Sequence, residues 1–140
     1  MSKLIYLAAP YTDTDLKVSA LRAEQASYAA AMLMSRYGFA VFSPITHGHA
    51  VVDHLPLEKA ISHEFWMEQC IPVLDRCDEL YILRLPGWER SRGVKYEWDF
   101  AIRTNKPIRT VDIYTLHTTN PADITLPAFP NFPTRNQESS

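Results

Sequence analysis

Glycine is scarce in this chain, four residues in 140, and none falls in the Pro10-Tyr11-Thr12 stretch after the first strand-like run. A Gly-x-Gly-x-x-Gly fingerprint is therefore missing there, and a Rossmann-type dinucleotide cofactor is unsupported. No P-loop is present, which argues against NTP hydrolysis, and no Gly-x-Ser-x-Gly, which makes Ser91 a poor serine-hydrolase nucleophile. Cysteine is nearly absent too. Cys70 and Cys77 alone give neither a disulfide framework nor a zinc pattern. No apolar run approaches the roughly 18 residues of a membrane helix. Met1-Ser2-Lys3 leads straight into a strand-like run without a signal-peptide layout, so a soluble cytoplasmic protein with no membrane partner is expected. There is no basic block, and 14 basic against 16 acidic residues leave a net charge of −2. Nothing there argues for a nucleic acid polymer as a bulk partner, and none is expected, while a small anionic ligand stays open. No internal repeat is visible.

What is present suits one domain. Hydrophobic residues make up 46% of the chain, enough for a core. Leu4 to Ala9 is a continuous apolar run ending at Pro10. Continuous rather than alternating apolarity predicts a strand covered on both faces, as in parallel sheets. A residue among Thr12 to Asp15 is expected to cap a helix from about Leu16 to Tyr37, ended by Gly38. Phe39 to Ser43 reads as a second strand, stopped by Pro44. Residues 45 to 61 read as a loop with a short helix, and Ser62 caps a further helix to about Asp75, kinked at Pro72. The run Glu79 to Leu85 is a third strand, Val94 to Arg103 a helix, and Ile108 to Val111 a fourth strand extending to Tyr114. The pattern predicts a three-layer Rossmann-like or flavodoxin-like α/β fold. It has a parallel sheet of four to five strands and helices on both faces. It occupies residues 1–116. Residues 117–140 form a Pro-rich tail, partly disordered or docked, through Phe129 and Phe132, on the body or a neighbouring subunit.

The chain is organised around Leu85 to Glu97. Strand passes to loop and loop to helix there, and ligands bind where loops leave the carboxyl ends of strands. Ser91 and Gly93 sit where N–H groups at a helix start could hold an anion. Glu97 lies about one turn into the helix and could point at the same pocket. Taken alone, a Glu in that position is also a solvated residue favoured by the helix dipole. The loops at Pro10-Tyr11, Pro44 to His49 and Pro86 to Gly93 all fall on one sheet edge and converge on one crevice. His47 and His49, with Asp53 and His54 nearby, match no strong metal motif, so they are read as pocket-lining or structural, and no metal is expected.

These residues carry a resemblance. Ile5-Tyr6-Leu7-Ala8-Ala9-Pro10-Tyr11, Gly38 to Ile45, Asp78, Leu85-Pro86-Gly87-Trp88 and Ser91-x-Gly93-x-x-x-Glu97 with Ala101 are similar to the nucleoside 2-deoxyribosyltransferase-like superfamily. The chain most resembles that superfamily's small bacterial and phage branch of unknown function and its deoxynucleoside 5′-monophosphate N-glycosidases. The resemblance spans roughly residues 3 to 111. It implies that Glu97 attacks C1′ of a nucleoside or nucleoside 5′-monophosphate and displaces the base. Hydrolysis or transfer then proceeds through a glycosyl-enzyme intermediate. Tyr11 is the candidate to assist departure of the base. Ala9 and Pro10, Ser43, Pro44 and His47, and Gly87, Trp88, Ser91 and Gly93 are the candidate substrate contacts. Ser91, flanked by Arg90, Arg92 and Lys95, would hold a 5′-phosphate. No cofactor is implied, and a homodimer or higher homo-oligomer is. In the superfamily an Asp often stands eight residues before the position of Asp78. Here that residue is Cys70; either Glu64 or Glu68 on the same helix takes its place or the role is absent. The alternatives are a nucleotide-binding module without catalysis and an NAD glycohydrolase-like enzyme.

Overall fold

The structure is a computed structural model that describes residues 3–118. Four parallel strands form one sheet: β1 (Leu4–Ala8), β2 (Ala40–Phe42), β3 (Glu79–Leu83) and β4 (Ile108–Val111), in the order β2-β1-β3-β4. Tyr6 pairs with Phe42 on one side and Leu80 on the other. Helices cover both faces. Helix α1 (Leu16–Tyr37) buries Ala29, Ala30 and Leu33 against Ile5, Leu7, Tyr81 and Leu83. Helices α4 (His63–Arg76) and α5 (Arg92–Arg103) bring Cys70, Leu74, Val94, Trp98 and Ala101 onto the other face, against Tyr6, Ala8, Leu80 and Ile82. The alternation of Ile5 and Leu7 with Tyr6 and Ala8 is the strand's period of two, hidden in the sequence because both faces are covered.

The ends of the elements have local causes. Asp15 caps α1 by accepting from Lys17 N at 2.9 Å. Gly38 ends it in the left-handed region at φ 70°. A Cβ at Gly38 would meet nothing within 4 Å. Gly38→Ala is therefore expected to cost only the backbone penalty, about 1 kcal/mol, read as a shifted urea midpoint with an unchanged slope. At the amino-terminal end of β3 Glu79 is 4% exposed. It is paired with Lys3 at 2.6 Å and Arg109 at 3.1 Å, so its burial leaves no uncompensated charge.

Three expectations are corrected. The second strand ends at Phe42, because Ser43 leaves the sheet to accept from Thr46 N at 3.2 Å. Pro44 then opens helix α2 (Pro44–Val51), where its fixed φ and missing N–H suit the first helical position. The segment read as a loop with a short helix is thus mostly helical: α2, a single 3-10 turn (Val52–His54) and helix α3 (Leu57–Ala60). The fourth strand does not reach Tyr114. Asp112 accepts from Tyr114 N at 2.8 Å and starts helix α6 (Ile113–Thr118), which buries Leu116 beneath α1. The expected boundary at residue 117 therefore falls inside a helix. The rest of the Pro-rich tail, with Phe129 and Phe132, lies outside the described residues.

Candidate functional site

The strand order reverses direction between β1 and β3. From β1 the chain departs to α1 on one face, and from β3 to α5 on the other. The two loops diverge there and leave a crevice at the carboxyl edge. Helix α5 begins at this edge, with Ser91 Oγ accepting from Val94 N at 3.2 Å. Val94, Glu97, Trp98 and Ala101 are its buried residues, a stripe at spacings of three and four. Glu97 is the one acidic residue in that stripe and is only 4% exposed.

Its partner comes from the middle of β1. The buried Tyr6 hydroxyl donates a hydrogen bond to Glu97 Oε2. The same hydroxyl also interacts with the Cys70 thiol of α4. One tyrosine from the central strand therefore joins the two helices of that face. Burial pushes the Glu97 carboxyl up to about 7, and the Tyr6 hydrogen bond pulls the other way by favouring the charged form. Tyr6 itself is held well above its ordinary value, by burial first and by the Glu97 charge second, so it remains a donor. Burial pushes the Cys70 thiol up to about 11, with the Glu97 charge adding to the effect. Cys77, at the end of α4, is raised similarly. Both thiols are buried and protonated, so alkylation of the native protein by iodoacetamide should run about a hundredfold slower than after denaturation. Rapid labelling of Cys70 in the native state, read by peptide mass, would contradict this placement.

The other sequence candidates fall around this centre. Ala9 and Pro10 are buried at the end of β1. Tyr11 is not the tyrosine on Glu97: its hydroxyl stands 2.7 Å from His49 Nδ1. Ser43 and Pro44 are buried at the start of α2. The exposed His47 ring packs on Phe42, which in turn packs on Tyr6. Gly48 approaches the Trp66 ring closely enough that a Cβ would stand 3.5 Å from it. Gly87 takes a left-handed φ of 89°, and Trp88 packs on the apolar cluster around Tyr6. Ser91 Oγ is engaged as the α5 cap, while the N–H groups of Arg92 and Gly93 have no intrahelical acceptor. Glu64 and Glu68 do not reach Glu97: both are exposed, and Glu64 lies 3.6 Å from Arg92. Among the described residues no group of three or more His, Cys, Asp or Glu could hold a metal. No helix among them is long and apolar enough to cross a membrane.

Tyr6 escaped the sequence reading. The signal available was a hydroxyl in the middle of an otherwise apolar strand, which must find a partner once buried.

Residues 3–113 match a family described as a domain of unknown function (DUF1937). The chain belongs to this family. The matched span includes every residue of the site, from Tyr6 to Glu97. No curated protein matches the chain.

Proposed function

We propose that this DUF1937 member hydrolyses the N-glycosidic bond of a nucleoside or nucleoside 5′-monophosphate, with Glu97 as nucleophile. The observation that carries the reading is the buried Glu97–Tyr6 pair, which joins α5 to β1, one of the two strands that flank the switch point. A carboxyl on an apolar helix stripe costs stability, and such groups concentrate where a shifted pKa has a use. With its value near 7, Glu97 is substantially ionised at neutral pH.

In the proposed reaction a Glu97 carboxylate oxygen bonds to C1′ while the C1′–N bond breaks. The base leaves with the bonding pair and takes up a proton. Water then cleaves the glycosyl ester, which frees the sugar or sugar phosphate and restores Glu97. Tyr6, donating to Oε2, holds the carboxylate in one orientation. The resemblance of Ser91-x-Gly93-x-x-x-Glu97 to the nucleoside 2-deoxyribosyltransferase-like superfamily supports the same chemistry. Hydrolysis is preferred to transfer, because Cys70 stands where that superfamily often has an Asp and because Arg90, Arg92 and Lys95 suit a phosphate.

Cys70 also favours a second reading, a nucleotide-binding module without catalysis. A protonated thiol supplies neither the charge nor the base of a carboxylate. The deciding experiment incubates full-length protein with ribo- and deoxyribonucleoside monophosphates, free nucleosides and NAD, and follows free base by chromatography. Release by the wild type and not by Glu97→Gln supports the glycosidic reading. Ligand binding without release supports the module. Release that survives Glu97→Gln removes Glu97 from the mechanism.

A further inference from the structure

Arg22 lies two turns into α1, and helix side chains lean toward the N-terminal end, here the carboxyl edge of the sheet. Its guanidinium is half-buried and directs its hydrogen bonds at backbone. Arg22 Nη1 donates to Tyr11 O at 3.4 Å and Thr12 O at 3.1 Å, in the loop after β1. Nη2 donates to Pro86 O at 3.1 Å, in the loop after β3. Among the described residues Arg22 makes no ion pair within 4 Å.

These are the two loops that diverge at the switch point. No helix joins them, because their chains leave for opposite faces of the sheet. Gly87 adds a steric condition. A Cβ there would stand 3.2 Å from Arg22 Nη2, so the glycine permits both the left-handed turn and the close approach. The first loop is fixed a second time, by the Tyr11 hydroxyl on His49. A planar fork suits this bridge, since its two terminal nitrogens point at different loops. The ammonium of a lysine offers one point of attachment.

We infer that Arg22 is a positioning residue that sets the gap between the loop after β1 and the loop after β3, and so the seat of a ligand in the crevice. As a statement about loop geometry it stands on the hydrogen bonds alone. As a statement about turnover it rests on the glycosidic reading.

The test uses the full chain with Arg22→Met, which keeps the stem and removes the fork, and Arg22→Lys, which keeps the charge. Amide exchange of the free protein is followed at neutral pH. In Arg22→Met the amides of Asp15, Trp88 and Arg90 should exchange about tenfold faster, with those of β1 and β3 unchanged. Arg22→Lys should resemble Arg22→Met more than wild type. Unchanged exchange, a change in one loop alone, acceleration spread through the sheet, or full rescue by Lys would each overturn the inference. With a substrate that the wild type cleaves, Arg22→Met should raise KM about tenfold and change kcat less than threefold; the reverse split overturns the positioning role. If the wild type releases no base from any substrate, the glycosidic reading fails, and the exchange data still decide what Arg22 does.

Discussion

Glu97→Gln should lose base release by about a thousandfold or more, because a neutral amide cannot form the glycosyl ester. It should also gain stability, and the gain should depend on pH. Burial raises the Glu97 carboxyl to about 7 in the folded protein, against about 4.3 in an unfolded chain. Between those values the unfolded chain has released a proton that the folded chain still holds. Wild-type stability therefore falls as pH rises through that window and levels off above it. Gln has no proton to release. The variant should gain on wild type by about 3 kcal/mol between pH 4 and pH 8, measured as the change in the difference between their urea unfolding free energies. A constant difference would mean that Glu97 does not titrate in this window in the folded state. A large loss of activity with a gain in stability is the signature of a group kept for chemistry rather than for packing.

Tyr6→Phe should act on the same carboxyl from the other side. The Tyr6 hydroxyl lowers the Glu97 value by bonding its charged form. Without it the value rises above 7, and less nucleophile is ionised at neutral pH. Base release at pH 7 should fall about tenfold to a hundredfold, with part of the loss recovered in alkaline buffer. The check is the ascending limb of the pH–rate profile, which should move to higher pH. A limb that stays in place, with activity lost equally at every pH, would mean that Tyr6 contributes packing alone. A carbon-13 titration of the Glu97 carboxyl gives the same shift without relying on turnover.

Much of this arrangement was legible in the sequence. The unbroken apolar run of β1 announced a strand buried on both faces, and Gly38 marked the end of α1. Glu97 stood out by its place behind a strand and a turn and by the Ser91-x-Gly93-x-x-x-Glu97 resemblance, since taken alone it reads as a solvated residue of the helix start; its burial among Val94, Trp98 and Ala101 came from the structure. The same apolarity that revealed β1 concealed the role of Tyr6. When both faces of a strand are covered, the sequence does not tell which parity faces which layer. The tyrosine in the loop, Tyr11, therefore looked nearer to the chemistry than the one inside the strand. Pro44 misled in a different way. A proline after an apolar run reads equally as a strand stop and as a first helical residue, and Ser43 decided for the helix. The helix at Ile113–Thr118 rests on the Asp112 cap and on burial of Leu116, and six residues are too few to display a helical period.

The Tyr6–Glu97 contact joins residues 91 positions apart. The strand that carries the tyrosine leaves the ribosome well before its neighbour β3, which starts only at Glu79. A nascent chain that has emerged through β2 thus exposes one unpaired edge of a very apolar strand. Parallel pairing over such separations forms slowly. In that interval the edge is open to other chains, so the yield of folded protein should depend on synthesis rate and on chaperones. The site itself has no partial form: it exists only once α5 has been made and packs over β1.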